Sequence, residues 1–113
     1  MNLSKSLSSF LSAADIAAPV VISIDRIEEE IIDDLGQEVG MLALYPKGYD
    51  QGILLRENHL ALLSEILGSK TPTDWIGKKV VMFPDRDVWL YGRPVGAIRF
   101  RPAENTNDFQ ERT

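Results

Sequence analysis

Apolar and polar residues alternate with a period of two over much of the chain, in pieces of strand length. Val20, Ile22 and Ile24 alternate with Val21, Ser23 and Asp25, which puts one apolar face on a strand opened by Pro19. After Arg26 the phase slips: Ile27, Glu29 and Ile31 now alternate with Glu28 and Glu30. A phase slip within a long strand predicts a β-bulge and a bend. Asp33 to Gln37, with Gly36, reads as a turn, Glu38 to Tyr45 as a second strand, Pro46-Lys47-Gly48 as a turn, and Tyr49 to Arg56 as a third strand centred on Ile53 to Leu55.

The period then changes. Leu60, Leu63 and Leu67 fall at i, i+3 and i+7, and Leu62 and Ile66 widen the stripe. Asn58 suits the N-cap and Gly68 the left-handed C-terminal position, with Pro72 beyond it. This predicts a helix of about ten residues, which needs docking to be stable. His59, just after that N-cap, is expected to be exposed. Lys79 to Phe83 reads as a fourth strand ended by Pro84. Val88 to Tyr91 and Val95 to Arg101 read as a hairpin around Gly92-Arg93, a type II′ turn that sets Trp89 opposite Gly96.

The order is three strands, one helix, then two or three strands. It predicts a mainly β domain, an OB-fold-like β-barrel with its helix between strands three and four, the bent first strand serving both sides of the barrel. A strand meander crossed by a helix gives a similar string. The 113 residues suit one domain: an N-terminal arm over 1–17, the OB-like barrel over 18–102, and a polar tail over 103–113 that is expected to be disordered.

Composition narrows the chemistry. Without cysteine there are no disulfides, no thiolate catalysis and no cysteine-ligated zinc. One histidine, His59, leaves a single candidate for any catalytic base, and no nucleophile motif or second ligand accompanies it. The glycines lack phosphate-loop spacing. The expectation is a non-enzymatic protein with no cofactor and no metal. No apolar run approaches the ~20 residues of a membrane span, and Lys5 alone is no signal-peptide n-region, so the chain is expected in the cytoplasm.

Net charge is −5, which by itself opposes non-specific nucleic-acid binding. The distribution changes that picture. Ala18 to Gly40 holds seven acids and one base, whereas Gly68 to Pro102 holds seven bases and three acids. An acidic total therefore hides a basic half.

Four segments together carry a resemblance: Phe10-Leu11-Ser12-Ala13-Ala14-Asp15-Ile16, Asn58 to Gly68, Thr73-Asp74-Trp75-Ile76-Gly77-Lys78-Lys79-Val80, and the closing Val95-Gly96-Ala97-Ile98-Arg99-Phe100-Arg101-Pro102. The chain resembles a group of small phage and prophage proteins, mostly uncharacterised, similar in length, over most of residues 10 to 102. The Asp-Trp-Ile-Gly-Lys-Lys stretch is its most specific part. The resemblance implies a phage origin and no particular activity. The group is charged around the first hairpin, whereas Leu42 to Tyr49 here is more apolar and aromatic.

The candidate binding set is Lys78, Lys79, Arg86, Trp89, Tyr91, Arg93, Arg99 and Arg101, with Tyr45 and Tyr49 nearby in the proposed sheet. Arg99 and Arg101 share one strand face while Ile98 and Phe100 share the other. Cationic side chains that neutralise phosphates, beside aromatic rings on which bases stack, suit single-stranded nucleic acid. The same arginines can instead keep an outer sheet face soluble and its edge unpaired. A second expectation is a protein-interaction module, forming a homo-oligomer or capturing a host or phage protein. Trp75, beside Ile76 and Gly77, reads as a core plug, and the acids from Glu28 to Asp34 read as a solvated turn without calcium-loop spacing.

Overall fold

The computed structural model describes residues 4–103; the polar stretch 104–113, expected to be disordered, lies outside the described residues. Its strands are β1 (Val20–Asp34), β2 (Gln37–Pro46), β3 (Ile53–Leu54), β4 (Lys79–Asp85), β5 (Trp89–Leu90), β6 (Arg93–Pro94) and β7 (Ala97–Pro102), with one α-helix, α1 (Glu57–Leu67). Single 3-10 turns occupy Leu7–Ser9, Ala13–Asp15 and Pro72–Trp75. Five strands form one antiparallel sheet in the order β3-β2-β1-β4-β7, and β5 and β6 pair with each other as a separate ribbon.

The longest strand organises the sheet. Val20 to Ser23 pair with β4, while Ile24 and Arg26 to Asp34 pair with β2, and the register slips between Ile24 and Arg26. The slip falls where the alternation changes phase. Ile22 and Ile24 point into a core with Leu44, Ile53, Leu63, Val80, Met82, Ile98 and Phe100, closed by Trp75, whose indole Nε1 donates to the Ser69 carbonyl at 2.9 Å. Gly68, at φ +74°, ends α1 by donating its N–H to Ser64 O.

The expected closed barrel is not found. Among the described residues β3 and β7 share no ladder. The expected third strand, Tyr49 to Arg56, shrinks to Ile53–Leu54, so α1 follows two full strands rather than three. The cause lies in Gln51 and Gly52, which bond the N-terminal segment instead of β2. Leu11 N–H donates to Gly52 O at 2.8 Å, and Gln51 Nε2 donates to Ser9 O at 3.2 Å. Gly52 also lies against the Tyr45 ring, where a Cβ would come within 2.9 Å.

Residues 4–16 thus form a strap rather than a free arm. Lys5 bridges Ile32 in parallel register, Phe10 is buried against Ile32, Ala43 and Tyr45, and Ile16 joins the main core. Burying a side chain like Phe10 contributes about 2 kcal/mol. At the far end Ala13 sits against Gly96, and Arg86 Nη2 donates to Ile16 O at 2.9 Å. The strap and the start of α1 line a crevice between β3 and β7.

Three further expectations are corrected. The N-cap is Arg56, not Asn58, and His59 is buried at 9% exposure rather than exposed. Its Nδ1 accepts the Arg56 backbone N–H at 3.1 Å, which leaves the proton on Nε2 to be donated to Ile98 O at 2.8 Å. Finally, the last turn is Tyr91-Gly92, with φ +53° and +75°, as a type I′ turn requires; Trp89 therefore faces Pro94, not Gly96. β7 leaves this hairpin to pair with β4, which runs through Pro84 to Asp85.

Two predictions follow from the crevice. Burial, with the Arg99 and Arg56 charges nearby, holds the His59 imidazole below its ordinary value. Stability tied to neutral His59 is complete above the ordinary pKa of about 6.5 and is lost as pH falls through the depressed folded value. Urea midpoints measured downward from neutral pH should drop more steeply for the native chain than for His59→Gln; equal slopes would refute the assignment. Gly96→Ala should cost about 2–5 kcal/mol, the strain of φ +71° plus the clash of its Cβ at 2.8 Å from the Ala13 Cβ. Gly92→Ala, with positive φ but nothing within 4 Å of its Cβ, should cost only about 1–2 kcal/mol of backbone strain. Equal losses in denaturant titration would remove the strap contact from the account.

Candidate nucleic-acid interface

Alternation along β4 and β7 fixes which residues face outward. Val80, Met82, Ile98 and Phe100 point into the main core, so Lys79, Val81, Phe83, Asp85, Arg99 and Arg101 line the opposite face, where Val81 is itself buried, Phe83, Asp85 and Arg99 are half-buried, and Lys79 and Arg101 are exposed. The register sets Arg101 beside Val81 and Arg99 beside Phe83. The Arg101 guanidinium lies 5.2 Å from the centre of the Phe83 ring. Arg99 Nε donates to Asp85 Oδ2 at 3.2 Å, with both side chains about one-third exposed. An ion pair that exposed is worth about 0–1 kcal/mol, so Arg99 can exchange its partner for a phosphate at small cost.

β5 and β6 rise from the Asp85 and Ala97 end of this face as a two-stranded wing. Trp89 is 62% exposed and Tyr91 92% exposed, and Arg93, cross-strand from Leu90, has no ion-pair partner among the described residues. The sequence-predicted set therefore divides. Lys79, Arg99 and Arg101 lie on the sheet face, and Trp89, Tyr91 and Arg93 lie on the wing. Two members are used by the fold: Arg86 holds the strap, and Lys78 Nζ donates to Leu67 O, a carbonyl of the last turn of α1, at 3.0 Å.

Tyr45 leaves the aromatic set. It is buried, its hydroxyl donates to the Glu30 carboxylate, and the Arg26 guanidinium stacks 4.0 Å from its ring centre. Burial and the adjacent Glu30 push its phenol above the ordinary value, so it keeps its proton. Burial favours the neutral form of Glu30, but the bonds from Tyr45 and Lys5 outweigh it and hold the carboxyl below its ordinary value. This cluster ties the strap to β1. Tyr49 is partly exposed in the β2–β3 loop, off the β4–β7 face.

Phe83 is the residue that sequence reasoning missed. It shares parity with Lys79 and Val81 against buried Val80 and Met82, a signal present in the alternation but masked by reading Pro84 as the strand end. The acids of the first hairpin stay separate: Glu28 pairs with Arg26, and Asp33 Oδ1 accepts the Gly36 N–H. Among the described residues no three His, Asp or Glu side chains converge closely enough to hold a metal ion, and no helix is long and apolar enough to cross a membrane.

Comparison with known proteins finds no matching family model, no matching curated protein and no matching solved structure.

Proposed function

We propose that the chain is a binding module for single-stranded nucleic acid, which tracks from the wing along the outer face of β4 and β7. The observation that carries this reading is the pair of exposed aromatic rings, Trp89 and Tyr91, grouped with Arg93 at one end of a row holding Arg99, Phe83, Arg101 and Lys79. Each exposed ring offers a face to one base, and stacking of this kind is worth about 1–3 kcal/mol per base. The four cations reach phosphates along an extended strand, and Arg101 over Phe83 keeps one guanidinium positioned without neutralising it. The acids of the first hairpin lie off the β4–β7 face, and their repulsion of a polyanion helps to orient it. In a phage or prophage, such a module would serve replication or recombination.

Fluorescence anisotropy of a labelled ~30-nucleotide strand, longer than the ~4–16 nucleotides such a domain covers, tests this. Four phosphate contacts give a log–log salt slope of roughly −3, so affinity should fall about 50-fold between about 50 and 200 mM salt. Arg99→Glu with Arg101→Glu should abolish binding, and Trp89→Ala with Tyr91→Ala should weaken it about tenfold or more. No binding at the lowest salt, where the electrostatic attraction is strongest, would sink the reading.

A further inference from the structure

We infer that the chain forms a two-fold dimer in which the wing of each copy enters a cleft of the other, between the first hairpin and the start of α1. The wing pairs only with itself, and it leaves Leu90 and Val95 half exposed as well as Trp89 and Tyr91. Aliphatic side chains do little for a nucleic-acid strand, and four large apolar residues together on one small ribbon mark a protein contact.

The cleft has the matching chemistry. It is an open groove of about 730 Å³. Leu42, Leu55 and Leu60 supply apolar side chains, with Glu29 and Glu57 beside them. Gly40 has no side chain to fill it. The register puts Glu29, Asp33 and Glu38 on the same face of the hairpin, with Ile31 between them. Arg56 is the single base of the cleft. Glu29 and Glu57 have no ion-pair partner among the described residues, and neither has Arg93 on the wing. An apolar ribbon carrying an unpaired arginine thus meets an apolar cleft carrying two unpaired carboxylates.

The layout favours reciprocal exchange. Arg56 and Asn58 line this cleft and also the crevice that reaches Val95, Gly96 and Ala97, where the wing joins β7. Wing and cleft therefore flank the first turn of one helix. A two-fold axis near that turn forms both contacts at once, the closed arrangement that symmetric dimers adopt. The inference shares the wing with the proposed nucleic-acid face, so the two ligands compete for it, but the cleft serves the dimer alone.

Sedimentation velocity of the full chain from about 1 to 100 μM decides the matter, with charge swaps as the control. The native chain should be dimeric at the upper end. Glu29→Arg with Glu57→Arg, and separately Arg93→Glu, should each weaken dimerisation about tenfold or more. Mixed together, the two variants should recover the dimer, since both contacts are then complementary; a folding defect in either would not be rescued by mixing. A native chain that stays monomeric, a mixture that stays monomeric, or an open series of larger species would each overturn the proposal. The cleft variant should still bind single strands, so a failed dimer leaves the anisotropy result independent.

Discussion

One strand is shared between two sheet halves, and everything else in the fold follows from how it is shared. β1 gives its first four residues to β4, and its remainder, from Ile24 on, to β2. A flat strand cannot serve partners on both sides of a small core, so the extra residue at Asp25 bends it. The bend carries Ile22 and Ile24 into the main core, while Ile32, seven residues past the slip, points to the other side of the hairpin and meets Phe10. The hairpin thus has two buried faces, one against α1 and one under the strap. That explains why the N-terminal segment is built into the domain rather than left in solvent.

A bent sheet that stops short of closure leaves edges exposed, and exposed edges template aggregation. The chain covers its edges with unlike elements. Lys5 occupies the edge of β1 that β4 leaves free, bonding Ile31 and Asp33. Leu11 takes the Gly52 carbonyl beside β3, and His59 takes the Ile98 carbonyl on β7. Gly96 allows the strap to pass because any side chain there would strike Ala13. The site depends on these seals, because Arg86 is spent on one of them and the face carrying Arg99 and Arg101 is left as the solvent side of a fixed sheet.

Much of this was legible where one physical signal dominated. The phase change after Arg26 located the bend, the leucine stripe located α1, and the parity of Arg99 and Arg101 located the basic face, because each depends on local geometry alone. What was not legible depends on partners distant in sequence. Tyr49 to Arg56 has strand-forming residues, yet the Gly52 carbonyl is taken by Leu11 and the Gln51 side chain bonds Ser9, some forty residues away. His59 looks like a surface residue at a helix start until β7 brings Ile98 to it. The last hairpin failed differently. Gly92 fits either position of a two-residue turn, and moving the turn by one residue changes every cross-strand pair, which detached Trp89 from Gly96.

The two hairpin tips carry the remaining argument. Both turns place a bulky residue at positive φ ahead of a glycine: Leu35 at 54° before Gly36, and Tyr91 at 53° before Gly92. Asparagine, aspartate or glycine would hold the first position at lower cost, by about 1–2 kcal/mol. Neither side chain repays that cost by packing, since Leu35 is 99% exposed and Tyr91 nearly as much. A cost of that size is tolerated while the domain stays above its stability threshold. Strain that the folded domain does not use points to something outside it. On the wing, Trp89 and Arg93 flank the strained Tyr91, a grouping that suits either proposed partner, stacked bases or an acidic cleft. On the first hairpin Leu35 stands among Asp33, Asp34 and Glu38, where a polyanion is repelled. The proposed nucleic-acid contact therefore uses the strain at the wing tip alone.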